Sequence, residues 1–593
     1  MKIILSYFQQ SRLRPKVPKL RHLPETLRAE HRRKNALSFF RENRARAKSR
    51  KQGAFFFGVR RVREAVWRGV HPFCFRSCKT RANDIISSMN LLSFLEPKSV
   101  YTERMPFVLW MRTHTVVIVL LLLLFALYGF FLAHKIDLTT ADLGRHIKNG
   151  EILFQDTSVL SKNYYSYTNP DFPVLNHHWV SGAMFYFAYK LGGFPLIQVF
   201  FIFLSFSAFA VFLLAARKNA TWGIIGLAAL LAIPLLGERT EIRPEVWSYL
   251  FAGLFFLILS RKYKLGTLWL LPIIEIFWVN THIYFLLGPL LIGAFLLEAL
   301  IKKRDVFLRL LSVFGAALAA MLVNPFGHRA ITEAIGIFEN YGYKVAENQS
   351  VWFLERLGMH NPNFFIFKIA LAALVLSYVA VLIKNRVEFR FAHFFVMAGV
   401  STLAVLATRN FTLFGLFLVP VLSENAALVW KNPLTHNRLE QSSAFCAALL
   451  FALFVIFALP RAFPYWRTFG IGLENGNNAA ANFLRENKIQ GPYFNNYDIG
   501  GYIIFHLFPR EKVFVDNRPE AYPVEFFQKE YIPMQENAEK WRAALARYNF
   551  NAIVFSQRDA TPWGQTFLRA RAEDPLWVPV FADGKIIIFT RKQ

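Results

Sequence analysis

Thr115-Val-Val-Ile-Val-Leu-Leu-Leu-Leu-Leu-Phe-Ala-Leu-Tyr-Gly-Phe-Phe-Leu-Ala133 runs for 19 residues without a charge. That matches the roughly 20 helical residues needed to cross the hydrocarbon core of a bilayer. Ten further apolar segments follow, near 194–215, 220–236, 246–260, 267–280, 283–300, 306–323, 363–383, 391–407, 411–428 and 443–460. Several are shorter than a perpendicular span, which leaves their bounds loose and leaves room for a re-entrant pair. The reading is an α-helical polytopic membrane protein with about eleven transmembrane helices. Composition agrees. Of 593 residues 54% are hydrophobic, only 18% are charged and 63 are Phe, which excludes both a string of soluble domains and a disordered chain. Cys74, Cys78 and Cys446 are too few for a disulfide scaffold, and one Cys-x3-Cys without a second pair is no zinc pattern.

Charge is unevenly placed. Residues 1–114 carry 26 Lys and Arg against 7 Asp and Glu, a net +19, leaving +11 for the other 479 residues. This basic arm has no aromatic-rich module among its arginines, so nucleic acid is not expected as a partner. It reads as a disordered cytosolic tail or as residues ahead of the true start, with Met89, Met105 and Met111 as candidate starts. Ile3–Phe8 is too short an apolar core for a cleavable signal. Beyond the arm, Arg217-Lys218, Arg261-Lys262-Tyr263-Lys264, Lys302-Lys303-Arg304 and Lys384-Asn385-Arg386 fall on alternate loops. Basic short loops stay in the cytosol, so the amino terminus is expected inside and the carboxy terminus outside.

The expected organisation is the arm at 1–114, a transmembrane domain at 115–460 with a large first external loop at 134–193, and a soluble extracytoplasmic α/β domain at 461–593. A second long loop runs from 324 to 363. In the tail, Asn478–Asn487 and Trp541–Tyr548 read as helices. Lys512–Asp516, Ala552–Ser556, Val578–Phe581 and Lys585–Thr590 read as strands, with Asp583-Gly584 as a hairpin turn.

Polar residues collect where spans meet the external loops. Asp142 and His146 lie four apart and share a helix face, near Asp137. Two carboxylates and an imidazole at the end of a span suit activation of an acceptor hydroxyl or retention of a divalent cation. The alternative is that Asp142 caps a juxtamembrane helix and Asp137 is solvated. His177, His178 and Trp179 stand together as a binding element or as an interfacial aromatic belt. Arg243, His282 and Arg409 sit at further span ends. As a set facing one side they suit a phosphate-bearing ligand. In the tail, Asp498-Ile-Gly500-Gly501-Tyr502 puts paired glycines at a helix start, too few for a nucleotide fingerprint. Asp516 either binds ligand or pairs with Arg518 to brace the domain.

The order of these pieces resembles the GT-C superfamily of integral-membrane glycosyltransferases, and within it a branch of large bacterial membrane proteins. The resemblance rests on Asp142-Leu-Gly-Arg-His146-Ile-Lys-Asn-Gly150-Glu151, Tyr165-Ser166-Tyr167-Thr168, Asn176-His-His-Trp179, Arg243-Pro244, Trp278-Val-Asn280-Thr-His282, Asn324-Pro325-Phe326-Gly327, Asp498-Ile-Gly-Gly501-Tyr502 and Val515-Asp516-Asn-Arg518. It covers about Val116 to Lys592. It implies a sugar donor on a polyprenyl phosphate, an extracytoplasmic acceptor, single displacement with inversion, and a bacterial inner membrane. Asp142 is then the base, with Asp137 as a second candidate. His146, His177, His178, Trp179, Arg243, His282, Arg409 and Asp516 are candidate binding residues. Relatives often carry a second Asp two residues before the base, and here that position is Thr140, so a cation held by a carboxylate pair is an open expectation. The Asn-Thr-His stretch also lacks the Gly residues that often follow His. A transporter or flippase of lipid-linked saccharide, and a non-catalytic envelope scaffold, are the competing readings. Against the carrier stand the lack of an inverted repeat and of paired broken helices.

Overall fold

The computed structural model describes residues 107–140, 142–261, 265–302, 304–337, 339–430, 444–445, 447–456 and 468–592. Residues 1–106 of the basic arm, with Cys74, Cys78, Met89 and Met105, lie outside them, as do Cys446 and parts of the 443–460 segment. The opening apolar run lies in helix α1 (Phe107–Leu132). The short helix α2 (Leu143–Leu153) follows, then α3 (Trp179–Arg217), α4 (Trp222–Leu236), α5 (Glu245–Ser260) and α6 (Leu270–Thr281). Next come α7 (Leu287–Ile301), α8 (Phe307–Ala320), α9 (Pro362–Lys384), α10 (Phe391–Leu406) and α11 (Phe411–Val429). Among the described residues five helices are long and apolar enough to cross a membrane, and six further apolar helices run 10–17 residues. The chain is a helical membrane protein with a small sheet near its carboxy terminus.

Helix α3 is longer than the predicted span because it begins at Trp179 and bends rather than starting near residue 194. Gly192 and Gly193 leave helical geometry at the bend, and Gly193 takes φ 63°, a conformation that costs a side-chain-bearing residue. The segment before the bend carries the first loop down onto α2.

The helix ends sort by chemistry. Lys218 Nζ donates to the Ser260 carbonyl, Lys302 Nζ donates to the Phe389 carbonyl at 2.7 Å, and Arg390 pairs with Glu424 at 3.2 Å. The basic loops therefore gather at one end of the bundle. Arg239, Arg243, Asn280 and Arg409 stand at the opposite ends of the same helices.

The carboxy-terminal tail contains a four-stranded sheet, with β1 (Tyr493–Asn495), β2 (Ala552–Ser556), β3 (Trp577–Ala582) and β4 (Ile586–Arg591) in the order β1-β2-β4-β3. β1 runs parallel to β2, and the other pairs are antiparallel. Gly584, at φ 82°, makes the turn between β3 and β4. Helices α12 (Ala479–Glu486), α13 (Gly500–Leu507), α14 (Ala538–Tyr548) and α15 (Pro562–Ala572) complete it. Phe494, Phe514, Tyr531, Trp541, Phe550 and Phe567 form its aromatic core.

One predicted strand is corrected. Lys512–Asp516 joins no sheet; Val513 forms a single bridge to Ser166 of the first loop. The segment reads like a strand because Val513, Phe514 and Val515 form a buried apolar run against that loop, not because it has two ladder partners. The three-residue strand β1 was not anticipated from the sequence, being too short to show a period.

Candidate active site

Glycines in the sequence motifs determine how α2 is seated. A Cβ on Gly144 would lie 2.8 Å from Phe505 Cβ and 2.9 Å from the Gly501 carbonyl, so α2 meets α13 backbone to backbone. A Cβ on Gly150 would collide with the Gly182 carbonyl of α3, and one on Gly182 would lie 2.9 Å from the His146 carbonyl. A Cβ on Gly500 would strike Asp516. Gly500 thus serves the close approach of α13 to the 515–516 segment.

Asp142 occupies the N-cap position of α2 but makes no side-chain cap hydrogen bond. An Asp there ordinarily accepts from first-turn amides. Here the carboxylate turns to other partners: Oδ2 lies 3.6 Å from Arg145 Nη2 and 3.8 Å from Arg243 Nη1, and Oδ1 accepts from Asn517 Nδ2. The side chain keeps 20% of its surface exposed. Three distant stretches of chain therefore meet at one partly accessible carboxylate.

Four imidazoles lie beside it. The His178 ring stacks on His282 at 5.1 Å and meets His146 at 5.5 Å and His177 at 4.5 Å. Ser248 Oγ sits 2.7 Å from His282 Nδ1 and accepts from Trp278 Nε1 at 2.7 Å, which fixes the His282 ring. Burial holds His146 and His178 well below the ordinary histidine range, helped at His146 by Arg145 and Arg243 and at His178 by the neighbouring imidazoles. Burial and Arg145 bring His177 down to about 4. These three rings are neutral near pH 7. His146 Nδ1, His177 Nδ1 and His178 Nε2 are buried without a hydrogen-bond partner, an arrangement that calls for a polar group from outside the described chain. Trp179 Nε1 donates to Asn280 Oδ1 at 3.0 Å and braces the rim.

A layer of arginines and glutamates closes the far side. Arg239 donates to Glu245 at 3.0 Å and to Glu347 at 2.6 Å. Arg243 reaches Glu241 at 2.7 Å and Glu347 at 3.4 Å. Arg409 contacts Glu245 at 3.4 Å, Asn348 at 2.9 Å and the Tyr284 hydroxyl at 3.0 Å. Burial alone would raise the Glu347 carboxyl, but Arg243, Arg239 and Arg409 hold it far below the usual range. Asp498, on the turn Tyr497–Ile499, is pushed up to about 7 by burial, by Asp559 and by Asp142.

The remaining carboxylate candidates are taken by basic partners of their own. Asp137 accepts from Thr139, Asn477 and Arg558 and pairs with Lys585 at 2.9 Å, joining the first loop to the tail. Burial would raise its pKa, but Lys585 and Thr139 lower it further than burial raises it. Asp516 is fully buried, and Arg518 takes both of its oxygens, at 2.8 and 2.6 Å. Arg518 also donates to Asn163 at 2.9 Å, so the pair links the tail to the first loop.

Among the described residues no group of three or more His, Cys, Asp or Glu is arranged to hold a metal ion. The donor chemistry also fits a divalent cation poorly. The carboxylates of Asp142 and Asp137 already face Arg243 and Arg145, and Lys585 and Arg558, and a cation there would meet positive neighbours.

Sequence reasoning did not single out Glu245, Tyr284, Glu347 or Asn517. Each is an ordinary polar residue in its local context, and its role follows only from contacts across the chain. Glu347 and Asn348 lie in the second long loop, whose length was the one available signal.

No family model matches the sequence, and no curated protein matches it. Solved structures do. The chain is similar to ArnT from Cupriavidus metallidurans bound to undecaprenyl phosphate, at 15% identity and TM-score 0.45, over 80% of this chain and 97% of that one. It is similar to the archaeal oligosaccharyltransferase AglB from Archaeoglobus fulgidus in complex with an inhibitory peptide and a dolichol-phosphate, at 12% identity and TM-score 0.49, over 81% of this chain and 74% of that one. It is also similar to the Archaeoglobus fulgidus oligosaccharyltransferase in complex with Zn and sulfate, at 14% identity and TM-score 0.46, over 74% of this chain and 68% of that one.

Proposed function

We propose that the chain is a membrane glycosyltransferase that moves a sugar from a polyprenyl-phosphate-linked donor to an extracytoplasmic acceptor hydroxyl, with inversion. The observation that carries this reading is Asp142: a helix-capping position whose carboxylate forgoes the cap and faces a partly open site beside Arg243 and four imidazoles. The basic loops at the other end of the bundle suit a cytosolic face there, which supports an external position for this site.

In the proposed reaction Asp142 accepts the proton of the acceptor hydroxyl as its oxygen bonds to the anomeric carbon. The bond from that carbon to the donor phosphate oxygen breaks, and its electrons leave on the phosphate. Arg243 and Arg409 stabilise that charge, acting in a low-dielectric setting where fixed cations are most effective. The unpartnered nitrogens of His146, His177 and His178 orient polar groups of the sugar or phosphate. Glu347 holds the arginines until the donor phosphate replaces it. Asp137 and Asp516 brace the junction of loop and tail in this scheme. No step runs through a metal ion.

The test is transfer in membranes containing equal amounts of wild type or Asp142→Asn, offered a panel of radiolabelled polyprenyl-phosphate sugars. Consumption of one donor by the wild type alone is the expected result. Equal consumption by both would remove Asp142 from the mechanism.

A further inference from the structure

At the end of the bundle opposite Asp142, the last turns of α3, α5, α7 and α11 and the first turns of α8 and α10 line an open cavity of about 800 Å³. Nothing in the proposed transfer uses it. Its volume falls in the range of pockets that hold an organic ligand and exceeds what an inorganic ion fills. Its formal charge is net positive. Among the described lining residues are five cations, Lys218, Arg261, Arg304, Arg309 and Arg390, against three carboxylates.

Two of those carboxylates act as anchors for the cations. Glu298 is 3% exposed; it accepts from the Ala392 amide at 2.9 Å and pairs with Arg304 at 3.1 Å. Glu424 is also 3% exposed; it accepts from Asn219 at 2.7 Å and pairs with Arg390 at 3.2 Å. Each guanidinium is thus held on the cavity wall by one edge. A planar guanidinium has five donors, so a fixed edge leaves others for a second partner. Arg261 and Arg309 add exposed charge at the mouth.

We infer that this cavity binds a phosphate-bearing anion. Anchored arginines with surplus positive charge match the charge-assisted, multidentate bonds that phosphate oxygens accept. A ligand at this depth has two possible sources: the headgroup of a lipid from the adjoining leaflet, or a soluble phosphate entering from the aqueous side.

The experiment compares the full-length wild type with an Arg261→Gln/Arg309→Gln double variant, which removes cavity charge without stripping Glu298 or Glu424 of its partner. Native mass spectrometry from phosphatidylcholine nanodiscs doped with phosphatidic acid reads the lipid arm. Equilibrium binding of radiolabelled inorganic pyrophosphate reads the soluble arm. The wild type should hold one more phosphate ligand than the double variant in at least one arm, or bind it roughly tenfold tighter, as expected for losing charge-assisted contacts. Asp142→Asn should bind like the wild type, which separates this cavity from the proposed transfer site. A lipid-only difference assigns the headgroup source, and a pyrophosphate-only difference the soluble one. No binding in either arm, or equal binding in both arms by wild type, the double variant and an Arg304→Lys/Arg390→Lys variant that keeps each charge beside its glutamate but removes the free guanidinium donors, would overturn the inference.

Discussion

The side-chain amide of Asn517 donates to the carboxylate of Asp142 across 375 positions of sequence, tying the carboxy-terminal tail to the start of α2. Asn517→Ala frees that carboxylate to rotate toward Arg145 or Arg243. Misplacement of a base by about an ångström costs up to roughly 100-fold in rate. We expect kcat to fall about 10- to 100-fold with donor KM little changed. A donor KM that rises while kcat holds would instead make Asn517 a binding residue.

Glu347 pairs with Arg239 and with Arg243, the latter proposed to meet the donor phosphate. Glu347→Gln keeps the shape and removes the competing charge. Donor KM should fall by roughly tenfold, about 1.4 kcal/mol. A higher KM would show that Glu347 organises the arginines for the donor instead of competing with it.

Gly144 lets α2 touch α13, and any side chain there would meet the Phe505 Cβ and the Gly501 carbonyl. Gly144→Ala should cost about 1–3 kcal/mol of stability and reduce activity, since α2 carries Asp142. Gly315→Ala in α8, where a Cβ meets nothing within 4 Å, is the control and should be neutral or slightly stabilising. Thermal unfolding in detergent reads both; equal effects would place the Gly144 contact outside the energetics of the fold.

The raised pKa of Asp498 gives a pH signature. Its folded value of about 7 lies above the ordinary carboxylate value of 3.8, so the folded state binds the proton more tightly. That advantage is complete in acid and is lost as pH rises through about 7. Asp498→Asn is expected to match wild-type stability near pH 4 and to exceed it increasingly toward neutrality, by roughly 2–4 kcal/mol at the plateau. His177 titrates with the opposite sign: its lowered pKa removes stability as pH falls from 6.5 toward 4. The difference between variant and wild type cancels that contribution. A difference flat in pH would remove Asp498 as the source.

Glu275 in α6 is wholly buried, and neither of its carboxyl oxygens has a hydrogen-bond partner among the described residues. Gly288 of α7 makes room for it, because a Cβ there would collide with Glu275 Oε2. Gly288→Ala alone should destabilise the protein, whereas Gly288→Ala combined with Glu275→Ala should recover part of the loss. In a double-mutant cycle we expect a coupling of about 1–3 kcal/mol. Strict additivity would mean that the two residues do not share the space.

The sequence alone made the membrane fold legible, because an uncharged run such as Thr115–Ala133 has one stable outcome in a bilayer: a helix that satisfies its own backbone. It also made the β3–β4 hairpin legible, since Asp583-Gly584 supplies the positive φ that the turn needs. It nominated Asp142, Arg243, His282 and Arg409, because ionisable groups at span ends are costly without a purpose. Tertiary structure decided the rest. Only packing shows that Asp142 forgoes its cap for Asn517, that Asp137 is taken by Lys585 and Asp516 by Arg518, and that Glu347 joins the arginines. The helical period and the uncharged run are properties of neighbouring residues, so they can be read along the chain. A partner hundreds of residues away is chosen by how close two backbones can approach. In this protein that depends on contacts such as those of Gly144, Gly150 and Gly500, which no local pattern encodes.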